Sequence, residues 1–147
     1  MKKTFTLILI AISLIAFGQT AQEHLQNGIA KHQQQDFKGA IKEYDRAIKA
    51  DKKYTNAYFN KGTCELALKD WKLAMVDFNK TIDLDPKYVK AYYSRATVNV
   101  NQEKYVEALL DLDKTIALDP SLPNVLTLRG QIRAQSGDKA GACLLIL

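Results

Sequence analysis

The sequence predicts an all-α fold in which helix-turn-helix hairpins repeat along the chain. Several columns of similar residues recur with a single period of about 34 residues, which indicates a repeat architecture. Each period also contains two stretches with apolar residues at three- and four-residue spacing, as amphipathic helices have. The columns are Gly28, Gly62, Ala96 and Gly130; Ala40, Ala74, Ala108 and Ala142; Tyr44, Phe78 and Leu112; and Asp51, Asp85 and Asp119.

Composition limits the classes of protein to which the chain can belong. Its 147 residues are 47% hydrophobic and 25% charged, which suits one soluble domain. The formal charge is +5, but Lys2 and Lys3 lie at the extreme N-terminus and the later basic residues alternate with acidic ones. Such mixed charges are typical of a solvated helix face, whereas nucleic-acid binding needs a basic stripe. We therefore expect no nucleic-acid partner.

The N-terminus resembles a secretory signal peptide that covers residues 1–18. Two lysines precede an apolar run over residues 4–17, and Ala16 and Gly18 are the small residues that a signal peptidase recognises. We expect this segment to be a signal-peptide helix that is cleaved between Gly18 and Gln19, so that the protein is exported. Because the short leader is typical of bacteria, the expected destination is the periplasm or the medium. An uncleaved membrane anchor is the alternative, although the run is shorter than the roughly 20 residues that span a bilayer.

The first repeat is expected to pair a helix over residues 21–34 with a helix over Phe37 to Ala50. Leu25 and Ala30 are placed on the inner side of the first helix by their spacing. Asp36 is positioned to cap the second helix, because a carboxylate there accepts a hydrogen bond from a free backbone N–H.

The later repeats close at aspartate–proline pairs. Pro86 and Pro120 stop helices, because proline lacks a backbone N–H and disfavours helix in the residue before it. The fourth repeat is predicted to begin its helix at Pro123 and is incomplete, since it ends in an apolar run over residues 143–147. We expect either a truncated array or an end that docks on a partner or on a second copy, giving a homodimer. The repeats are 21–54, 55–88, 89–122 and 123–147, in a domain of residues 19–147.

The repeating unit resembles the tetratricopeptide repeat (TPR), which combines an aromatic residue, a glycine, a later alanine and aromatic pair, and a closing proline. The first repeat departs from this pattern at Lys52, where proline is usual, and the third has Ala96 in place of glycine. The resemblance covers residues 21–147 and implies a right-handed α-α superhelix, or solenoid, whose concave groove binds proteins or peptides. The second repeat matches most completely, with Tyr58, Gly62, Trp71, Ala74, Phe78 and Pro86.

The resemblance also implies which residues face the groove, because the first helices of successive repeats line it. Phe59 and Tyr93 would offer apolar area and neighbouring amides would offer hydrogen bonds, unless the two aromatic residues only cover the seam between repeats. The groove residues predicted in this way are Leu25, Phe59, Asn60, Thr63, Lys90, Tyr93, Thr97 and Gln131.

Some TPR domains carry a carboxylate clamp that grips the acidic C-terminus of a partner. Asn60 and Lys90 match two positions of this clamp. However, Leu25 and Ile29 replace the lysine and asparagine of its first repeat, and Ser94 replaces its last basic residue. We therefore expect a protein or peptide partner that is bound without a complete clamp.

No residue pattern predicts catalysis, a cofactor, a metal site or a small-molecule substrate. His24 and His32 lie on one helix without a metal-ligand pattern and are expected to be solvated or to face the groove. Cys64 and Cys143 are expected to be buried free thiols, with a disulfide as the alternative in an oxidising compartment. The sequence thus predicts an exported, non-enzymatic interaction scaffold. The alternatives are self-association through the apolar C-terminal end or an accessory subunit of an envelope complex.

Overall fold

The computed structural model of the chain describes residues 20–137, and these form seven α-helices and no strand, which confirms the predicted all-α class. The predicted signal peptide and the apolar C-terminal run lie outside the described residues. The chain divides into two compact units, one that ends at Asp70 and one that begins at Trp71. The helices are α1 (20–33), α2 (Phe37–Ala50), α3 (Thr55–Ala67), α4 (Trp71–Leu84), α5 (Val89–Asn101), α6 (Tyr105–Leu118) and α7 (Val125–Gln135).

In the first unit, α1, α2 and α3 pack around the ring of Tyr44, which is completely buried. This ring lies against Gly28 of α1, where an added Cβ atom would come within 2.4 Å of the Tyr44 Cε1 atom. Only a hydrogen atom fits at this crossing, so packing requires the glycine in this repeat. Ala30 is exposed, contrary to the prediction, because it lies well around the helix from the buried line of Ala21, Leu25 and Gly28.

In the second unit, α5 contacts both α4 and α6, and α7 contacts α6. Leu112 is fully buried and takes the place in the third repeat that Tyr44 has in the first. At Gly130 of α7, by contrast, no described atom apart from its chain neighbours and the backbone of its own helix lies within 4 Å of an added Cβ atom. The buried side chains of this core are Ala96, Ala108, Leu112, Val125 and Ile132.

The turn that follows the first helix of each repeat has the same left-handed backbone at one residue. The angle φ is 61° at Gln35, 62° at Lys69, 57° at Glu103 and 86° at Gly137. After the first three of these, the N–H of the next residue donates to the carbonyl five positions back at 2.8 or 2.9 Å. This is a Schellman motif, which satisfies carbonyl groups at the end of a helix. The turn is therefore a repeated element of the architecture, although only its last copy is glycine.

The aspartate column closes each of the first three repeats with an Asx turn. In each case the carboxylate accepts a hydrogen bond from the backbone N–H two residues later, which fixes the bend after the helix. The three donor–acceptor distances are 2.9, 2.9 and 3.0 Å. The column is thus explained by backbone geometry, and its members are Asp51, Asp85 and Asp119.

The ends of two helices test the capping predictions. Asp36 caps α2 as predicted, with its Oδ1 atom accepting the Gly39 N–H at 2.9 Å. Helix α7 begins at Val125, whereas the prediction placed its start at Pro123. Asn124 has φ 67°, and this left-handed residue turns the chain between the proline and the helix. Within residues 20–137, none of the helices has the length and apolarity needed to cross a bilayer.

Candidate partner-binding surface

In the first unit, the predicted groove residues differ in how much surface they offer. Leu25 is only 5% exposed and belongs to the core cluster, so little of its side chain is available to a partner. Phe59, Asn60 and Thr63 are half-buried along α3. The Thr63 hydroxyl donates to the Asn60 carbonyl at 2.7 Å, which leaves the amide of Asn60 as the polar side chain of this segment.

In the second unit, three predicted groove residues follow one another along α5. Lys90 is exposed, while Tyr93 and Thr97 are half-buried one turn apart. Tyr93 packs against the core of this unit, and the Thr97 hydroxyl donates to its carbonyl at 3.1 Å. Gln131 lies on α7 and is exposed. The helix α5 thus presents an aromatic ring, a hydroxyl oxygen and a cation.

A cavity of about 560 Å³ lies between α5 and α7. Val100, one turn beyond Thr97, provides part of its wall from α5, and Gln131 joins it from α7. Apolar walls with a few amide groups are what small binding clefts in proteins commonly have. The lining residues are Val100, Leu128, Gln131, Ile132, Ala134 and Gln135.

Polar contacts between helices follow the repeat, and sequence reasoning missed them. Lys61 of α3 binds Asp45 of α2 at 2.9 Å. Two further pairs have the same separation of 16 residues and occur one and two repeats later. A search of the sequence for a cation that lies 16 residues after an acid or an amide would have found these pairs, whereas a search within one helix turn does not reach so far. The two pairs are Arg95 with Asn79, at 2.6 Å, and Arg129 with Asp113, at 3.0 Å.

The strongest polar contact in the second unit joins Arg95 of α5 to Asp111 of α6. The guanidinium donates to both carboxylate oxygens, from Nε at 2.9 Å and from Nη2 at 2.6 Å. The hydrogen bonds to Asp111 raise the pKa of Arg95 further, against the opposing effect of burial. Because Asp111 is 5% exposed and Arg95 is half-buried, this bidentate ion pair stabilises the packing of α5 on α6.

The two histidines are half-buried and contact side chains of neighbouring helices, whereas the sequence predicts that they are solvated or face the groove. His24 Nδ1 contacts Glu43 Oε2 at 2.9 Å, and His32 Nδ1 lies 3.4 Å from Cys64 Sγ. Cys64 is a buried free cysteine, as predicted, while Cys143 lies outside the described residues. Burial raises the pKa of the Cys64 thiol to about 12, with a smaller contribution from the charge of Glu65. The thiol is therefore protonated and unreactive near neutral pH.

The part of the chain from residue 20 to residue 137 holds no group of three or more histidine, cysteine or acidic side chains placed to bind a metal ion. Its polar clusters consist of ion pairs and amide contacts that join neighbouring helices. What the exposed residues offer is apolar area with nearby amides, an arrangement suited to contacts with another polypeptide.

The repeated helix pairs and their shared turns define a helical repeat protein. The profile of the family described as TPR repeat matches residues 28–63, and that of the tetratricopeptide repeat matches residues 55–88. Together these matches cover residues 28–88, which contain the end of α1 and the whole of α2, α3 and α4. The chain is a tetratricopeptide-repeat protein.

Solved TPR domains share the fold beyond the matched residues. The TPR domain of Arabidopsis OM64 has a TM-score of 0.79 and 24% identity, over 81% of this chain and 98% of that one. The first TPR of Spaghetti (RPAP3), bound to an HSP90 peptide, has a TM-score of 0.79 and 23% identity, over 82% of this chain and 95% of that one. The TPR2B domain of yeast Sti1, in a pHsp70 complex, has a TM-score of 0.74 and 27% identity, over 80% of this chain and 98% of that one. A comparison with curated protein sequences finds no match.

Proposed function

We propose that this chain is a non-enzymatic scaffold that binds a protein or peptide through the groove-facing side chains of its first helices. The cavity between α5 and α7 carries the proposal, because its apolar wall from Val100 and Leu128 adjoins the exposed amide of Gln131. An apolar side chain of the partner would enter the cavity, while glutamine amides bond to its backbone. Tyr93 and Lys90 extend the same surface along α5.

Two of the similar structures support a peptide as the partner. The Spaghetti domain is bound to an HSP90 peptide, and the Sti1 domain is in a complex with pHsp70. The present chain differs at the residues that would bind a terminal carboxylate. Leu25 stands at one of these positions and is buried, and Ile29 packs against the same core. We therefore propose an internal peptide segment as the ligand, in place of an acidic C-terminus.

The test begins by identifying the partner. A photoreactive amino acid at Thr97 would cross-link whatever lies on this surface in the native cell envelope, and the captured protein would then be purified. We expect the double variant Phe59→Ala with Tyr93→Ala to bind it about tenfold more weakly, while the far-ultraviolet circular dichroism stays helical. Val106→Ala, on a strongly exposed residue of α6, is the control and should bind normally. Unchanged affinity of the double variant would refute the groove.

Export is a second part of the proposal and rests on the leader over residues 1–18. The mass of the protein recovered from the periplasm or the medium of expressing bacteria is the measurement. A mass that begins at Gln19 supports export with cleavage. A full-length protein in the membrane fraction would indicate the anchored alternative, and a full-length protein in the cytoplasm would refute export.

Self-association is the alternative function, and the apolar residues 143–147 motivate it. Light scattering of the chain and of a variant without residues 144–147 decides between the two. A dimer that the deletion converts to a monomer supports the alternative. Monomers in both samples exclude it, and they leave the peptide-binding proposal to the cross-linking experiment.

A further inference from the structure

The outer surfaces of α4 and α6 expose large apolar side chains, here called the α4/α6 face. Val106 is 70% exposed, Leu110 66%, Val76 58% and Leu73 49%. Single exposed apolar residues are ordinary. Here each of two helices in the same unit carries a pair of them, one helix turn apart, and the exposure of such an apolar face to water costs free energy. These residues take no part in the surface proposed above, which lies on the first helices of the repeats.

The first repeat shows that the fold does not need apolar residues at these positions. Val76 and Leu110 are separated by one period of the repeat, and the corresponding residue of α2 is Lys42, which is exposed. Likewise, Gly39 corresponds to Leu73, and Lys38 corresponds to Val106. Because α2 forms the same helix with a lysine at position 42, the apolar residues of α4 and α6 are not explained by the packing of the repeat.

A cleft of about 300 Å³ adjoins this face and is built by α4, α5 and α6. Met75 and Leu110 supply its apolar walls. Its floor holds the charges of Arg95 and Asp111, which neutralise each other through two hydrogen bonds. The remaining Nη1 atom of Arg95 donates to Asn79 Oδ1 at 2.6 Å. The floor is therefore polar but carries no net charge.

Three polar groups at the cleft have no partner within residues 20–137. Asn79 uses its oxygen for Arg95, which leaves its amide N–H groups, and Asn99 uses its N–H groups for Asp111, which leaves its oxygen. The exposed carboxylate of Glu107 lines the cleft and forms no ion pair with the described residues. A donor, an acceptor and an anion are thus offered together beside apolar walls.

We propose that the α4/α6 face and its cleft form a second docking site, for an extended peptide segment that places an apolar residue next to a basic one. The apolar side chain would lie between Met75 and Leu110, where its burial excludes water. The amides of Asn79 and Asn99 would bond to one peptide unit, which also has one donor and one acceptor. The basic side chain would pair with Glu107, the one cleft charge that the floor does not neutralise.

The test uses the isotopically labelled chain and a seven-residue peptide, Ser-Gly-Lys-Leu-Lys-Gly-Ser, with both ends blocked. Blocked ends remove any terminal carboxylate, so binding cannot come from a carboxylate clamp. We expect saturable nuclear magnetic resonance shifts at the backbone amides of Val76, Asn79 and Leu110. A peptide with glutamate in place of both lysines should bind about tenfold more weakly, because attraction to Glu107 becomes repulsion.

Variants separate this site from a general apolar effect. Leu110→Lys copies the residue that the first repeat has at this position, so we expect normal helicity and at least tenfold weaker binding. Leu126→Lys is the matched control, because Leu126 is an exposed leucine of α7 outside the cleft, 46% exposed. Glu107→Gln should weaken binding of the lysine peptide about threefold and leave the glutamate peptide no worse.

Several results would overturn the proposal. One is an equal loss of peptide binding in Leu110→Lys and Leu126→Lys. The others are resonance shifts confined to Tyr93 and Thr97, and the absence of any saturable shift at millimolar peptide concentration. A dimer in sedimentation that Leu110→Lys dissolves would assign the face to a second copy of the chain, and so would also contradict a peptide as its occupant. Loss of binding to the groove partner in Tyr93→Ala, with the seven-residue peptide still bound, supports two separate sites.

Discussion

Glu43 of α2 and Asp111 of α6 hold the same position in the first and third repeats, and each is at most 8% exposed. Their cations differ. Glu43 contacts His24 and the exposed Arg46, whereas Asp111 receives two hydrogen bonds from Arg95. A histidine is charged only when protonated, while a guanidinium is always charged. The register of the repeat therefore fixes where the buried acid lies, but not which side chain neutralises it.

The largest expected effect comes from removing Arg95. Arg95→Ala would leave the Asp111 carboxylate buried without its cation, which costs about 3 kcal/mol of unfolding free energy. The chain would also lose the contact between Arg95 and Asn79 of α4. Urea unfolding followed by circular dichroism measures the difference, and Arg95→Lys should recover only part of it, since an ammonium cannot bond both oxygens in one plane.

Arg46→Ala is the matched change in the first repeat. The Arg46 side chain is 61% exposed, and His24 would still contact the Glu43 carboxylate after its removal. We expect a loss of about 0.5 kcal/mol or less. Equal losses for Arg46→Ala and Arg95→Ala would contradict the difference between the two repeats.

A second comparison concerns Gly28 and Gly130, which occupy equivalent positions of their repeats but have different atoms around them. Gly28→Ala would drive a methyl group into the buried ring of Tyr44, and we expect a loss of about 2 kcal/mol, despite the better helix propensity of alanine. Gly130→Ala places its methyl group more than 4 Å from every described atom other than its chain neighbours and its own helix backbone, and the variant should gain up to about 1 kcal/mol. Thermal unfolding of both variants is the measurement. A similar loss in both would refute the distinction.

The sequence was sufficient to predict what recurs in every repeat. The bounds of α2 were predicted to the residue, since the cap at Asp36 and the apolar spacing both mark them. Gly28 belongs to a recurring column of the sequence, and the structure gives the reason for the glycine there, because the Tyr44 ring leaves no room for a Cβ atom. These features are visible because a packing or capping requirement acts on residue type at a fixed spacing.

What the sequence did not reveal depends on contacts between helices or on backbone geometry alone. The pair of Arg95 and Asp111 spans 16 residues, beyond the reach of one-helix rules. The left-handed turns at Gln35 and Lys69 carry ordinary exposed side chains, so no glycine marks them. Leu25 was assigned to the groove by register and lies in the core, because register specifies a column but not its depth.

The thiol of Cys64 predicts a loss of stability at alkaline pH. Its pKa rises from 9.0 in an open environment to about 12 when buried, so the unfolded chain releases this proton first. The stabilisation is complete below pH 9 and is lost as the pH rises towards 12. We expect the unfolding free energy to fall by about 1 kcal/mol between pH 8 and pH 10. Cys64→Ala should remove this part of the slope, and an unchanged slope would contradict the assignment.

A small effect is expected from the difference between the turn of the third repeat and that of the fourth. Glu103 adopts φ 57°, which strains a residue with a side chain, whereas Gly137 adopts 86° without strain. Glu103→Gly should therefore raise the unfolding free energy by about 0.5 kcal/mol, because relief of strain exceeds the added freedom of the unfolded chain. Lys104→Gly, one residue later at φ −86°, removes no strain and should lower it by a similar amount. If both glycines destabilise the chain equally, the left-handed position is not strained and the turn is held by its Schellman hydrogen bonds alone.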